Sequence, residues 1–305
     1  MSDRIPVIID TDPAMGSPGQ DIDDGFALIF AKTQPTLDVK LITTVNGNVP
    51  VDYGTFVADS LRKRLEWDIP LAKGCSTALD GRRRHNASTP PSALPADILN
   101  QPAPVAIANT ILQSDEPVTL ICLGPLTNIA MSMLLYPRII DNIRTISIMG
   151  GLFFGTQNSL SMPVEFNFWM DPHAADIVLN SPVDDIRCVG LDVTKQIMLT
   201  QDDATLLEAN TRSTGAAYAA ECFNRFLADR LAKDSTCYLH DPLAVHSITH
   251  PSLIEWTRCD MEIVTEGRVE GMVLAERKPE GRIQVATTVD ATSFKQILLH
   301  AIASV

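Results

Sequence analysis

The stretch V-I-I-D-T-D-P-A-M-G-S-P-G-Q-D-I-D-D-G-F-A-L, residues 7–28, places five aspartates beside two apolar segments. The first apolar run ends in Asp10 and Asp12, and Pro13 breaks the extended backbone directly after them. This pattern is typical of a buried strand with an acidic carboxyl end. Because strand side chains alternate between the two faces of a sheet, Asp10 and Asp12 are predicted to project to the same side.

Three further aspartates, Asp21, Asp23 and Asp24, precede the apolar segment G-F-A-L-I-F-A, residues 25–31, which is predicted to be a helix. Carboxylates are favourable at such a position because the unpaired N–H groups of a helix N-terminus carry partial positive charge. The tip of the strand and the start of the helix therefore face each other across one loop.

Four or five carboxylates at one junction repel each other unless something neutralises them. At an effective dielectric constant of about 20, each close pair costs roughly 4 kcal/mol at a separation of 4 Å. A bound cation removes this cost, and oxygen-only ligands favour calcium or magnesium over zinc. The alternative is that Asp21 or Asp23 only caps the helix and that Asp10 is a turn residue. Capping accounts for one aspartate but not for both groups, so the metal site is favoured.

Strand and helix patterns alternate along most of the chain. Strands are predicted at 39–45, 69–72, 118–122, 146–151, 186–191 and within 261–289, and helices at 51–67, 104–113, 202–232 and 291–303. This alternation predicts a single α/β domain over residues 1–305, with an open, mostly parallel but mixed sheet flanked by helices. Ligands of such sheets bind beyond the carboxyl ends of the strands, so polar residues that directly follow a strand are candidate site residues.

Several polar residues fit this description. Asn48 follows the second strand, and Glu165 and Asn167 in E-F-N would share one face of an extended chain. His240 and Asp241 stand at the start of an apolar helix in H-D-P-L-A-V. Each also has a structural interpretation: Asn48 as a turn former, Asp241 as a helix cap and His240 as a surface residue.

Other side chains are candidates for contacts to a bound ring. His85 lies in the basic segment G-R-R-R-H-N-A, which is otherwise interpreted as a solvated surface loop. Tyr218, Phe223 and Phe226 lie at helical spacing and could wall a pocket, although core packing is the favoured interpretation. Thr127 or Asn128 is expected to cap the helix after the strand at 118–122, and Asp171 with Pro172 to start another helix.

Composition limits the possible partners. The chain has 305 residues and a net charge of −13, which argues against nucleic acid or an anionic membrane as a partner. The N-terminus lacks an apolar signal region, and no run approaches the roughly 18 apolar residues of a membrane span, so a cytoplasmic location is expected. The six cysteines are scattered without metal-site spacing, which indicates reduced core residues.

The motifs D-T-D-P, D-D before a small-residue helix, M-G-G followed by E-F-N and D-P, and H-D-P-L-A-V together resemble the inosine-uridine-preferring nucleoside hydrolases. The resemblance covers most of the chain. It implies a Rossmann-like fold, calcium-dependent hydrolysis of the N-glycosidic bond of ribonucleosides in salvage, and a homodimer or homotetramer. One departure is the loop at residues 14–22, nine residues long where the family's short form has two.

The resemblance also implies roles for individual residues. Calcium would be held by Asp12, Asp24, Asp241 and the backbone carbonyl of Leu123, with Asp10 behind them steadying Asp12. Asp12 would be the general base, and His240 would donate a proton to the leaving base, which together with Asn167 makes up the catalytic set. The nucleoside would be bound by Asp23, Asn48, Asn158, Glu165, Asn167 and His85.

Two rival functions fit part of the sequence. A haloacid-dehalogenase-like phosphatase also carries an aspartate pair after a hydrophobic strand, but that family needs Thr or Val where Ala14 stands. It also leaves E-F-N and H-D-P-L without a role. The second rival is a riboside-binding relative that has lost turnover, which is disfavoured because the proposed catalytic residues are all present.

Overall fold

One mixed β-sheet forms the centre of the molecule. The computed structural model describes residues 4–17, 20–82, 94–155, 164–233 and 236–305. Within these ranges the strands are β1 Ile5–Thr11, β2 Leu37–Thr44, β3 Leu71–Lys73, β4 Val118–Cys122, β5 Ile143–Met149, β6 Ile186–Val189, β7 Ile254–Ile263, β8 Val273–Arg277 and β9 Ile283–Val289. Their order across the sheet is β3-β2-β1-β4-β5-β6-β9-β7-β8. The β7–β8 and β7–β9 pairs are antiparallel and the other pairs of adjacent strands are parallel, so the predicted mostly parallel mixed sheet is confirmed.

Helices cover both faces of the sheet because its central strands are apolar on both sides. Val7 and Ile9 of β1 belong to one buried cluster, and Ile8 between them belongs to the other. The helices are α1 Asp23–Thr33, α2 Val51–Arg64, α3 Ala103–Gln113, α4 Thr127–Leu135, α5 Phe166–Met170, α6 Pro172–Leu179, α7 Leu191–Thr194, α8 Gln201–Asn210, α9 Thr214–Ala232, α10 Asp241–Thr249 and α11 Ala291–Ala303. No helix in the described ranges has both the length and the apolar character needed to cross a bilayer.

The carboxyl ends of the central strands lie at one edge of the sheet. Asp10 near the end of β1 pairs with Thr43 of β2 on one side and with Cys122 of β4 on the other. Hydrogen bonds continue beyond the strands: the Leu123 N–H donates to the Asp10 carbonyl at 2.8 Å. The residues that follow β1, β2 and β4 are therefore held next to each other, as expected for a ligand site in an α/β sheet.

The long helix expected at 202–232 is two helices, α8 and α9. Thr200 starts α8 in a capping box with Asp203, and the Ser213 hydroxyl accepts from the Ala216 N–H to start α9. Because each helix has its own N-cap, the chain turns between them at residues 211–213.

Two local expectations about side chains were wrong. Thr127 and Asn128 do not cap α4; their side chains donate to Asp171 at 2.7 Å and to Asp10 at 2.8 Å. Glu165 and Asn167 do not lie on an extended chain, because Glu165 is the N-cap of the short helix α5, which contains Asn167. The predicted cap at Asp171 is confirmed, since its carboxylate accepts from the Ala174 N–H at 3.0 Å.

Candidate active site

Asp10 is a buried anchor at the end of β1. Its Oδ1 accepts from the Thr43 hydroxyl at 2.5 Å and from the Asn128 side-chain amide at 2.8 Å. The Asn128 amide also donates to the carbonyl of Thr44, and thus joins β1, β2 and α4. These bonds hold the end of β1 in place, and Asp12 directly follows it.

Asp12 is enclosed by the loops that follow β2 and β4. Its Oδ2 accepts from the Asn48 N–H at 2.6 Å. A Cβ on Gly47 would overlap Oδ2, and a Cβ on Gly124 would lie 2.6 Å from Oδ1. Both positions therefore require glycine for the backbone to approach the carboxylate. Oδ1 is buried and has no hydrogen-bond partner among the described residues.

The start of α1 brings a second carboxylate to this tip. Asp24 Oδ1 accepts from the Thr11 hydroxyl and from the Asp12 N–H, the latter at 3.1 Å, while the Asn48 side-chain amide donates to Oδ2 at 3.1 Å. Ile22, at the N-cap, makes no side-chain cap, so the capping interpretation of Asp21 is not supported. Asp23 is the first residue of α1, so it does not occupy the N-cap position either.

Three carboxylates from two helices converge here. Oxygens of Asp23, Asp24 and Asp241 all lie within 4.8 Å of one another, and the three residues are at most 5% exposed. With Asp10 and Asp12 they form the acidic cluster, a group of five buried aspartates at the carboxyl edge of the sheet.

The charges of the acidic cluster are uncompensated by any described cation. Burial, followed by the charge of Asp24, raises the pKa of Asp12 well above its usual value. The pKa values of Asp23 and Asp241 are raised in the same way, by burial and by neighbouring carboxylates. Burial raises the pKa of Asp24 to about 6 and that of Asp10 to about 7.

The donor set of this cluster fits a hard divalent cation. Buried carboxylates with raised pKa values, together with an Asp12 oxygen that has no partner among the described residues, are features expected of a cation site. The Leu123 carbonyl lies at the same pocket and accepts from the Asn167 amide at 2.7 Å. All donors are oxygens, which favours calcium or magnesium over zinc.

A pocket of about 380 Å³ opens in front of the cluster and is called the site pocket. It lies between the C-terminal ends of β4 and β5 and the N-terminal ends of α1, α5 and α10. Asp12 and Asp24 lie behind its wall. The residues that line it are Asp21, Asp23, Asn48, Leu123, Met149, Glu165, Phe166, Asn167, Leu191, Lys195, Tyr238, His240 and Asp241.

Glu165 holds the far side of the site pocket in place. Its carboxylate accepts from the N–H groups of Gly151, Asn167 and Phe168 at 2.7–3.0 Å. The Asn167 side-chain amide donates to the carbonyls of Leu123 and Met149, at 2.7 and 3.1 Å. These bonds hold both side chains against the ends of β4 and β5.

His240 stands at the pocket wall beside Asp241. Its Nδ1 lies 2.8 Å from the Thr194 hydroxyl. Burial lowers the pKa of His240 to about 4, so the ring is neutral at pH 7. The removal of this ring from water is a property of the folded pocket that the residue type alone does not reveal.

The loop at residues 14–22 is attached to α9. The Tyr218 hydroxyl donates to the Met15 carbonyl at 3.4 Å, and Arg225 donates to the Gly16 carbonyl at 3.2 Å. Arg230 forms an ion pair with Asp21 at 3.0 Å. These contacts attach Met15, Gly16 and Asp21, at the two ends of the loop, to α9.

The uncompensated carboxylates predict that the metal-free protein loses stability as pH rises above 6.5. A carboxyl group whose pKa is raised by folding binds a proton that the unfolded chain has already released, so its ionisation destabilises the folded state. The window lies above 6.5 because the lowered pKa values of His240 and His246 have the opposite effect at lower pH. Thermal unfolding in a chelator should show a falling midpoint, and added calcium should flatten the slope. A midpoint that rises with pH in chelator would contradict this electrostatic account.

The family model described as inosine-uridine preferring nucleoside hydrolase matches residues 7–296. The chain belongs to this family. This nucleoside hydrolase is 33% identical to the non-specific ribonucleoside hydrolase RihC of Salmonella newport, over 97% of each chain. Among solved structures it is similar to a plant nucleoside hydrolase, PpNRh1, with a TM-score of 0.86 and 28% identity over 99% of each chain. A purine-preferring ribonucleoside hydrolase from Gardnerella vaginalis gives a TM-score of 0.85 and 25% identity over 98% of each chain.

The family assignment makes this nucleoside hydrolase an enzyme that cleaves N-glycosyl compounds, and the phosphatase alternative is not supported. The structure brings most of the predicted site residues to one place. Those that line the site pocket are Asp23, Asn48, Leu123, Glu165, Asn167, His240 and Asp241, with Asp12 and Asp24 directly behind. His85 and Asn158 lie outside the described residues.

The favoured interpretation of Phe223 and Phe226 as core residues of this nucleoside hydrolase is confirmed. Phe223 and Phe226 are core residues, at most 5% exposed, and the Tyr218 hydroxyl contacts the backbone of the loop at residues 14–22. Among the described residues, the aromatic rings that line the site pocket are those of Phe166 and Tyr238. Phe166 was missed because an extended E-F-N segment would point its ring away from Glu165 and Asn167, whereas Phe166 is the first residue of α5. In the described part of the chain, the pocket residues outside the predicted set are Asp21, Met149, Phe166, Leu191, Lys195 and Tyr238.

Proposed function

We propose that this enzyme hydrolyses the N-glycosidic bond of ribonucleosides in a calcium-dependent reaction, releasing the free base and ribose for salvage. The observation that carries the proposal is the site pocket, in which buried carboxylates meet the side chains of Asn48, Glu165 and Asn167. RihC and the Gardnerella protein are both described as ribonucleoside hydrolases, which supports the same substrate class.

The acidic cluster is the proposed calcium site. Asp12, Asp24, Asp241 and the Leu123 carbonyl would hold the ion, because they offer hard oxygen donors at one end of the pocket. Bound calcium would lower the pKa of a water molecule and orient ribose hydroxyls. Asp10 lies behind Asp12 and would keep the strand tip rigid through its bonds to β2 and α4.

Asp12 is the proposed general base. Its Oδ2 is held by the Asn48 N–H, which leaves the buried Oδ1 without a described partner to accept a proton from the attacking water. Attack at C1′ passes through an oxocarbenium-like transition state, as in other glycoside hydrolyses. Asp23, Asn48, Asn167 and Glu165 would bind the ribose hydroxyls and hold the sugar in its reactive conformation.

His240 is the proposed proton donor to the leaving base. When the Thr194 hydroxyl donates to Nδ1, the neutral ring carries its proton on Nε2. That N–H would then donate to the departing base. Asn158 and His85 remain proposed contacts to ribose and base.

The acidic pocket predicts that nucleotides are poor substrates. Asp21, Asp23, Glu165 and Asp241 line the site pocket, and a 5′-phosphate would add about two more negative charges. The kcat/KM for UMP should be at least about 100-fold below that for uridine, a difference of about 2.7 kcal/mol. Parallel assays of free ribose or ribose 5-phosphate test this. UMP turnover as efficient as uridine turnover would contradict the proposed binding of ribose among these carboxylates.

Product analysis with inosine distinguishes this proposal from its rivals. Hydrolysis should yield hypoxanthine and ribose in a one-to-one ratio, with no requirement for phosphate. An aryl phosphate assayed under the same conditions should release no phosphate. Tight inosine binding without release of ribose would instead support a binding protein.

A further inference from the structure

The hydroxyl of Thr194 is a buried polar group whose hydrogen-bond partner is the proposed proton donor. Thr194 is the last residue of α7 and is fully buried. Its Oγ1 lies 2.8 Å from Nδ1 of His240. Which of these two atoms donates the hydrogen bond decides which nitrogen of the neutral ring carries the proton.

The Thr194 hydroxyl does not make the bond that is usual for a threonine in a helix. Such a hydroxyl ordinarily donates to a carbonyl of the preceding turn, as that of Thr110 in α3 does to the Ala106 carbonyl at 2.8 Å. The corresponding carbonyl for Thr194 belongs to Gly190, and it accepts the Thr194 N–H at 3.1 Å but not the hydroxyl. The hydroxyl is therefore turned away from its own helix and toward His240.

The number of available acceptors fixes the direction of this hydrogen bond. A buried hydroxyl whose proton has no acceptor costs about 1–3 kcal/mol. Within the described part of the chain, the Thr194 hydroxyl makes no hydrogen bond other than the one to Nδ1, and its burial excludes water. The hydroxyl therefore donates to Nδ1, and the proton of the neutral ring is on Nε2.

The Nε2 atom of His240 is open to the site pocket. It has no hydrogen-bond partner among the described residues, yet it is not one of their buried unpartnered side-chain atoms. Both nitrogens of His246, by contrast, are buried and unpartnered. Because His240 lines the site pocket, its Nε2–H is available to a ligand there.

Backbone hydrogen bonds hold Thr194 beside the segment that carries the histidine. Ile197 donates its N–H to the Thr194 carbonyl at 3.0 Å and accepts from the Leu239 N–H at 3.2 Å. Asp192, also in α7, accepts from the Phe153 N–H at 2.7 Å, which attaches this helix to the segment after β5. The contact between hydroxyl and ring is therefore part of a hydrogen-bonded framework at the pocket.

We propose that Thr194 is a positioning residue whose hydroxyl donates to Nδ1 of His240, keeps the ring in the Nε2–H tautomer and directs that N–H at the departing nucleobase. The inference rests on the proposed ribonucleoside hydrolysis and adds to it the group that orients the proposed proton donor. When the bond between C1′ and the base nitrogen breaks, its electron pair stays on the base. An N–H directed at the base stabilises the charge that it gains, whereas the other tautomer would present a lone pair.

The tautomer is measured directly by ¹⁵N NMR of protein labelled at its histidine ring nitrogens. The wild-type spectrum should show Nδ1 of His240 without a proton and Nε2 with one, and the signals are assigned by their absence from His240→Gln. Thr194→Val, which removes the hydroxyl but keeps the shape of the side chain, should lose this preference. A proton on Nδ1 of the neutral wild-type ring would overturn the proposal.

The effect on the reaction is tested with leaving groups that need different amounts of help. Thr194→Val should lower kcat for inosine about 10-fold and leave KM within about twofold. Its hydrolysis of p-nitrophenyl β-D-ribofuranoside should stay within about twofold of wild type, because p-nitrophenolate leaves without assistance. Thr194→Ser, which keeps the hydroxyl, should retain inosine activity within about threefold. Thr110→Val, which removes a helix hydroxyl outside the site pocket, is the matched control and should behave like wild type.

Other results would contradict the proposal. Equal losses on inosine and on the aryl riboside would overturn it, because Thr194 would then act on the ribose or on the fold. A loss in Thr194→Ser as large as that in Thr194→Val would overturn it as well, since the hydroxyl would not be the group that matters. Wild-type protein that hydrolyses neither riboside would refute the proposed function itself, and the tautomer measured in the same sample distinguishes that failure from a failure of the inferred hydrogen bond.

Discussion

Replacement of Asp12 by Asn is expected to lower kcat for inosine by about 10³-fold or more, because it removes both the proposed base and a proposed calcium ligand. The substitution keeps the shape of the side chain, and its amide can still contact the backbone around Asn48. Steady-state ribose release measures the effect.

The same variant should also differ from wild type in thermal stability. Because burial and Asp24 raise the pKa of Asp12, its ionised form costs stability when no cation is bound. Asp12→Asn should therefore unfold at a higher temperature than wild type in chelator at pH 8. Asp141→Asn, at an exposed aspartate away from the site pocket, should change neither quantity. A kcat within tenfold of wild type would rule out Asp12 as the base.

Replacement of Asp241 by Asn is expected to weaken calcium binding by about 100-fold or more, and activity should recover in part at high calcium concentration. Asp241 starts α10 and brings its carboxylate within 4.8 Å of Asp23 and Asp24. Loss of one charged ligand from a hard-ion site reduces affinity directly. Isothermal titration calorimetry measures the dissociation constant.

Asp10→Asn is the matched comparison for Asp241→Asn. Asp10 is as deeply buried, but its carboxylate is bonded to Thr43 and Asn128 and does not belong to the group of three converging carboxylates. Its substitution should weaken calcium binding only about 10-fold to 100-fold. Equal or weaker effects at Asp241 than at Asp10 would contradict the assigned ligand set.

The sheet and the acidic cluster could be predicted from the sequence because short stretches of neighbouring residues determine both. The apolar run before Asp12 specifies β1, and the aspartates before residues 25–31 specify the start of α1. In a parallel sheet the loops after neighbouring strands meet, so Asn48 was also predictable from its place after β2. His240 and Asp241 were found through the H-D-P-L-A-V motif and its resemblance to the family.

Features that depend on distant parts of the chain were missed. Thr127 was expected to cap its own helix, but the hydroxyl bonds to Asp171, 44 residues away. Lys195 and Tyr238 reach the site pocket only because the segments around Ile197 and Leu239 pair with each other. Neither segment carries a periodicity or motif that signals this pairing.

The neutral state of His240 has the same origin, since desolvation of a ring is a property of the assembled pocket. The homodimer or homotetramer and the cytoplasmic location stay predictions. Size-exclusion chromatography with light scattering tests the first of them.

Ribose release from inosine, adenosine, uridine and cytidine, measured before and after calcium removal and again after calcium is restored, tests the central claim most directly. The account predicts hydrolysis of at least one of these nucleosides, loss of that activity in chelator and its recovery with calcium. Hydrolysis that persists undiminished in the demonstrably metal-free protein would contradict the assignment of the acidic cluster as a catalytic calcium site.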